Sequence, residues 1–389
     1  MQIHTVQKGD TVFKIARKYA SSPMKIIENN ELENPDRLTV GEKLLILTPT
    51  RTYNVRTSDT LERIAQRFGE KPEALLAKNP YLYGEGKLYP GQTLAIKYGE
   101  PRLGMASANG YAYRDIKKDR LMLALPYLVY VTVGAGMRVG DEVKMLFSDS
   151  DIKNTARKMG KRLLLRVYDG GEPLSEKYLE HLPVFLKKSG YDGVTLASYA
   201  AEKNSPREYA AFLTELRKRL MELDLLLYTE TDGNLDTQVP DVCDGYIMTY
   251  GKCALSDIPS FNDGERAALH SYANRAEAIK TYLDIPTLAY MGDEEILIRD
   301  AKNIAQSAGV DIEYDKEKMI CHFSYTRYKA GRGEAVRVAY ESPENLKAKL
   351  DLVSELGYMG VSFDIMKIPV EYLMMFEASF SHPPIYADI

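Results

Sequence analysis

The feature that most limits how this 389-residue chain can fold is an internal repeat in its first hundred residues. The run from His4 to Tyr19 lines up with the run from Tyr53 to Phe68, placing Asp10-Thr11-Val12 on Asp59-Thr60-Leu61 and Ile15-Ala16 on Ile64-Ala65. Asn30 and Asn79 follow at the same offset. After one inserted residue, Gly41 and Leu44-Leu45-Ile46 match Gly91 and Leu94-Ala95-Ile96. Self-similarity of this kind means one small unit folded twice, rather than a single hundred-residue domain. Each copy reads strand, helix, helix, strand. Asp10 and Asp59 stand where a helix N-cap belongs, and an apolar i, i+3, i+4 set follows each. Val40-Gly41 and Pro90-Gly91 are turn signals ahead of the closing strand.

The rest of the chain has a different rhythm. After the linker Lys97-Tyr98-Gly99-Glu100-Pro101, short buried strands alternate with helical runs, the pattern of a parallel sheet covered by helices. Strands are expected near 105–108, 127–133, 162–167, 194–198, 225–228, 245–249, 286–290 and 360–363. Eight strands with intervening helices predict an α/β fold of the (β/α)8 TIM-barrel type. A helix and three short strands between the last two barrel strands predict a small α+β insertion, about 293–341. The expected units are therefore 1–48, 51–98 and 104–389.

Composition excludes several classes. The net charge is −4 and no basic run is present, so nucleic acid and anionic membrane surfaces are not expected partners. Three cysteines, Cys243, Cys253 and Cys321, and five scattered histidines make neither a disulfide framework nor a metal site, and no cofactor is expected. No long apolar run predicts a leader or a membrane span. Tryptophan is absent while tyrosine numbers 28, which makes tyrosine the available flat ring for stacking on sugars.

The repeated unit closely resembles the LysM module, a small fold that binds N-acetylglucosamine-containing glycans. The resemblance implies a shallow groove in each copy. One wall would be Gly9, Asp10, Thr11 and Val12 in the first copy, and Ser58, Asp59, Thr60 and Leu61 in the second. The other would be Asn30, Glu31 and Leu32, matched by Asn79, Pro80, Tyr81 and Leu82. Ser58 departs from the usual glycine. Two modules on one chain raise avidity for a repeating polymer.

The stretch Gly190-Tyr191-Asp192-Gly193-Val194-Thr195-Leu196-Ala197-Ser198-Tyr199 resembles the fourth strand of glycoside hydrolase family 18, whose pattern is Asp-x-x-Asp-x-Asp-x-Glu. That family's Glu protonates the glycosidic oxygen, and its last Asp orients the substrate's N-acetyl group, an exception to the two-carboxylate scheme. Asp192 matches the first position, but Thr195, Ala197 and Tyr199 stand at the other three. A phenol, with a reference pKa of about 10, is a poor acid at neutral pH. Gly110-Tyr111-Ala112-Tyr113, Leu125-Pro126-Tyr127-Leu128 and Met248-Thr249-Tyr250 are similar to the sporulation- and germination-linked branch, whose members hydrolyse spore-cortex peptidoglycan as N-acetylglucosaminidases. Where the family places a tryptophan floor at strand eight, this chain has Asp364.

The resemblance thus implies a spore- or wall-associated glycan-binding protein with a barrel that lacks the family chemistry. Tyr111, Asp169 and Tyr250 are the expected cleft residues. Two alternatives stay open. One is a glycosidase with a displaced acid drawn from Glu230, Asp232 or Asp364, with Glu202 a weaker substitute. The other is a coat component with spore-coat proteins as partners.

Overall fold

A computed structural model of the chain describes residues 1–82, 86–168, 174–197, 206–232, 242–249, 278–329 and 332–381. The first unit runs β1 (Gln2–Thr5), α1 (Val12–Lys18), α2 (Pro23–Asn29) and β2 (Lys43–Ile46), with β1 and β2 antiparallel. The second repeats it as β3 (Arg51–Asn54), α3 (Leu61–Phe68), α4 (Pro72–Lys78) and β4 (Thr93–Lys97). Each closes on its own apolar cluster, Val12, Ile15, Ile26 and Leu44 in one, Leu61, Ile64, Leu75 and Leu94 in the other.

The helix caps differ from expectation by one residue. Thr11 and Thr60, in extended backbone, accept from the amides of Lys14 and Arg63 and are the N-caps of α1 and α3. Asp10 and Asp59 instead turn back into the preceding loop. A hydroxyl one residue closer to the helix reaches the third amide, and the carboxylate is left to close the turn.

The barrel is built from β5 (Ser107–Ala112), β6 (Tyr130–Val139), β8 (Arg162–Tyr168), β9 (Gly193–Leu196), β10 (Leu226–Asp232), β11 (Gly245–Thr249), β12 (Thr281–Asp284) and β18 (Gly360–Asp364). All eight are parallel, and the pairing of β5 with both β18 and β6 closes the ring. A short β7 (Glu142–Met145) folds back on β6. Helices α5 (Lys118–Ala124), α6 (Ser150–Lys158), α7 (Glu176–Ser189) and α8 (Pro206–Glu222) precede the insertion. The insertion holds β13 (Ala289–Met291), β14 (Glu294–Glu295), α9 (Ile298–Ala308), β15 (Glu313–Asp315), β16 (Ile320–Lys329) and β17 (Arg332–Glu341). Then come α10 (Pro343–Glu355) and, after β18, α11 (Val370–Ser379).

The seventh barrel strand is Thr281–Asp284, not residues 286–290 as the sequence suggests. Proline lacks the N–H that a central strand needs, so the barrel strand ends before Pro286. Ala289–Met291 joins the antiparallel insertion sheet beside β17. The first strand is also later than expected, which puts Tyr111 inside it rather than after it.

The two small units are packed on the barrel. Glu31 pairs with Arg120 at 2.9 Å and accepts from the Val370 amide at 3.0 Å. Lys43 pairs with Glu344 at 2.8 Å and lies over the Tyr314 ring. Buried Lys302 on α9 pairs with Glu371 on α11, beside buried Glu42 of the first unit. Ile312 donates to the Val40 carbonyl at 2.9 Å. A Cβ on Gly41 would fall 1.8 Å from the Ile312 oxygen, and its φ of +86° also favours glycine. The second unit touches the first through Lys25, which donates to Asn79 at 3.1 Å and sits 3.9 Å from the Tyr81 ring centroid. It touches the barrel through Tyr127, whose hydroxyl donates to the Ala77 carbonyl at 2.7 Å.

Candidate functional site

Two places are candidate sites: the grooves expected in the repeated units and the mouth of the barrel. In the grooves, the loop before each first helix is held by its aspartate. Asp10 accepts from the Gln7 amide at 2.8 Å and from His4 Nε2 at 2.9 Å. Asp59 accepts from the Arg56 amide and the Tyr53 hydroxyl, both at 2.7 Å. These donors, led by the backbone amides, hold both carboxyls below the usual range. Gly9, Thr11, Ser58 and Thr60 lie on the surface of these loops, while Val12 and Leu61 point into the core.

Asn30 and Asn79 are buried and fully engaged. Asn30 donates to Ile26 and Leu45 carbonyls and accepts from the Leu45 amide at 2.6 Å. Asn79 does the same with Leu75 and Ala95. Both therefore stitch a helix end to the closing strand and have no free face for a sugar. Pro80 and Leu82 are also buried; Leu32 and Tyr81 are half-buried and remain at the loop surface.

Inside the barrel, alternate residues point inward. Low in the ring the rings of Tyr130, Tyr228 and Tyr282 fill the space, with the Ser107 hydroxyl donating to Tyr282 at 2.6 Å. Above them Thr132, Asn109 and Ser362 form a hydrogen-bonded chain. Toward the C-terminal ends of the strands lies a cavity of about 200 Å³ lined by Tyr111, Tyr113, Arg166, Glu230, Asp284 and Asp364, among others. This is the face where barrel chemistry resides.

Glu230 is 3% exposed and gripped by Arg166, whose Nη2 donates to Oε2 at 2.7 Å while Nε reaches Oε1. The Tyr111 hydroxyl donates to the same Oε1 at 2.8 Å. Arg166 also lies 4.2 Å from the Tyr168 ring centroid. Asp284 ends β12 at the cavity. Burial first, and then the Glu230 carboxylate, push it up to about 7, against the opposing pull of Arg166 and Lys349. Burial also raises Asp364, although its Oδ1 accepts from the Met366 amide at 2.9 Å.

The degenerate motif divides between the two ends of the barrel. Asp192 lies before β9, at the opposite face from the cavity, where it accepts from the Leu163 amide at 2.6 Å and pairs with Arg157 at 2.8 Å. It is a strand clamp, as Asp244 is for the Leu227 amide. Thr195 is the register partner of Arg166 and Tyr228, so it faces the interior; it is wholly buried, and Ala197 nearly so. Asp232 closes β10. Tyr199, Glu202, Asp169 and Tyr250 lie outside the described residues. Sequence reading missed Asp284, Arg166 and Tyr113. The signal for Arg166 was a cation in the middle of the apolar run Leu163-Leu164-Leu165-Arg166-Val167, which is where an inward polar residue must sit. Asp284 was obscured by the strand-like run that follows Pro286.

Comparison with known proteins fits this division. The LysM domain model matches residues 4–47 and 53–97, so the chain carries two LysM domains. Over that region the chain is 37% identical across 97 residues to the cell wall-binding protein YocH of Bacillus subtilis, covering 24% of this chain and 33% of YocH. It is 30% identical across 99 residues to the endolysin of Bacillus phage B103, covering 24% of this chain and 38% of the endolysin. The chain therefore spans between a third and two fifths of those relatives' lengths. Along nearly its whole length it shares the fold of the spore cortex-lytic enzyme SleL. The Bacillus megaterium structure gives a TM-score of 0.73 at 17% identity, covering 98% of each chain. The Bacillus cereus structure gives 0.72 at 20% identity, covering 98% of this chain and 99% of that one. Two LysM domains and a (β/α)8 barrel with the fold seen in SleL are thus the architecture of this chain.

Proposed function

We propose that this is a peptidoglycan-binding protein of the spore or cell wall, anchored by its LysM pair, whose barrel does not hydrolyse glycans by the family-18 route. The observation that carries the reading is the pair Thr195 and Ala197. They occupy buried, inward positions where that route needs carboxylates, and the nearby axis is filled by the Arg166–Glu230 pair. A methyl cannot orient an N-acetyl group, and general acid–base catalysis alone contributes about 10²–10⁴-fold. The proposal extends to the groove-lining residues Gly9, Asp10, Thr11, Ser58, Asp59 and Thr60, with Leu32 and Tyr81 as opposite walls. YocH, a cell wall-binding protein by name, supports wall attachment, and the SleL fold supports the spore setting. Among the described residues no helix is long and apolar enough to cross a membrane.

The test is co-sedimentation with purified peptidoglycan, followed by an assay for new reducing ends. Binding without release is expected. One observation favours a second reading, a hydrolase with a displaced acid: Asp284 holds its proton near neutral pH, as a general acid must. Release of reducing ends that disappears in Asp284→Asn would establish that reading instead.

A further inference from the structure

Among the described residues the charges around the barrel mouth do not balance: each cation near the cavity already has a carboxylate of its own. Arg166 grips Glu230, Lys367 pairs with Glu295 on β14, and Lys349 pairs with Glu341 at 2.7 Å. Asp284 and Asp364 are left over, and both face the same cavity. Among the described residues these two carboxylates have no dedicated counter-ion in a half-buried space, an arrangement that an added positive charge would complete. The groups bearing on Asp284 come from four elements: Arg166 on β8, Glu230 on β10, Asp364 on β18 and Lys349 on α10.

Three further features suit a particular kind of cation. The Tyr111 and Tyr113 rings lie nearly parallel, 10° apart with centroids at 6.1 Å, and both line the cavity. Such ring faces attract cations, and Arg166 already lies 5.7 Å from the Tyr111 centroid. Thr195, the register partner of Arg166 in the barrel interior, is wholly buried and its hydroxyl has no hydrogen-bond partner. The cavity, about 200 Å³, has room for one small ring or one side chain.

We propose that the barrel mouth is a binding site for a primary ammonium group, held between Asp284 and Asp364 against the Tyr111 and Tyr113 rings. In a wall polymer that group occurs on a de-N-acetylated hexosamine and on a diamino acid of a peptide side chain. The inference rests on the wall-binding reading for its source of ligand, not for its geometry. The LysM grooves would take N-acetylated sugar, and the barrel would read its absence or the adjoining peptide. The site is also linked to pH. Binding a cation favours ionised Asp284, so affinity is full above pH 7 and falls below it as the carboxyl takes up its proton.

The test is calorimetric titration of the full chain with three probes: a glucosamine tetramer, its fully N-acetylated counterpart, and free lysine. Binding of the glucosamine tetramer or of lysine is expected at pH 7.5, weakened tenfold or more in Asp284→Asn and in Asp364→Asn. The N-acetylated tetramer should bind all three proteins alike. Wild-type affinity for lysine should drop about tenfold between pH 8 and pH 6. Preference for the tetramer identifies a sugar amine; preference for lysine identifies a peptide amine. Equal amine binding by wild type and both variants, or no amine binding by wild type, overturns the proposal. If Asp284→Asn melts early, Asp364→Asn and the wild-type pH profile decide the matter. Peptidoglycan co-sedimentation without amine binding would sink this inference alone. Reducing-end release with Asp284-dependent amine binding would sink the non-hydrolytic reading alone.

Discussion

Asp284 shows how one side chain sets both a charge state and a stability. Its carboxyl is raised to about 7 in the fold, whereas the reference value for an unfolded chain is about 4. Between those limits the folded state keeps a proton that the unfolded state has released. The stabilisation that proton brings is present at low pH and is lost as pH rises through 7. Asp284→Asn carries the neutral form permanently. Its melting temperature should therefore match wild type near pH 4 and exceed it at pH 8; equal melting curves at both would show that the site is not crowded with negative charge. Arg166 and Glu230 illustrate why such a residue escapes a sequence reading. Their strands are separated by β9, and only closure of the ring brings the side chains into bidentate contact. The polar interruption of an apolar run was visible; its partner was not. The reverse holds for Thr195 and Ala197, where the missing carboxylates could be read directly from spacing along a single strand.

At the scale of elements, the repeat is legible because each copy reproduces the same local hydrogen bonds. Asn30 and Asn79 recur since each ties the end of its second helix to the closing strand with three bonds. Asn79→Ala should destabilise the second LysM domain by about 2–3 kcal/mol, because it strands the buried Ala95 amide and two carbonyls. Denaturant unfolding of the full chain would read this as an early transition, and a shift under about 0.5 kcal/mol would assign the residue to the surface. The seventh barrel strand was the harder element. Thr281–Asp284 is shorter and more polar than the run after Pro286, yet it alone has parallel neighbours on both sides. Local pattern favoured the longer run, and sheet closure decided for the shorter one.

For the whole molecule, the main fact is that the LysM domains are bolted to the barrel rather than strung from it. Glu31, Glu42 and Lys43 of the first domain all meet barrel or insertion groups, and the second domain is held by Tyr127 and Lys25. None of these contacts was legible in the sequence, since they join residues from 50 to 339 positions apart whose types are ordinary at a surface. Gly41→Ala tests the attachment. The added methyl would collide with the Ile312 backbone, and the left-handed φ adds about 1–3 kcal/mol of strain. Exchange of the Ile312 amide proton, now bonded to Val40, should quicken, and the melting temperature should fall. Unchanged exchange would mean the junction yields without loss.

A pair of hands fixed to one frame cannot choose its own reach. Domains joined by slack chain would grip sugars at any separation within the tether's length. These two hold one spacing and one angle, so the protein should discriminate among wall lattices by their pitch, much as a gauge accepts only one thread.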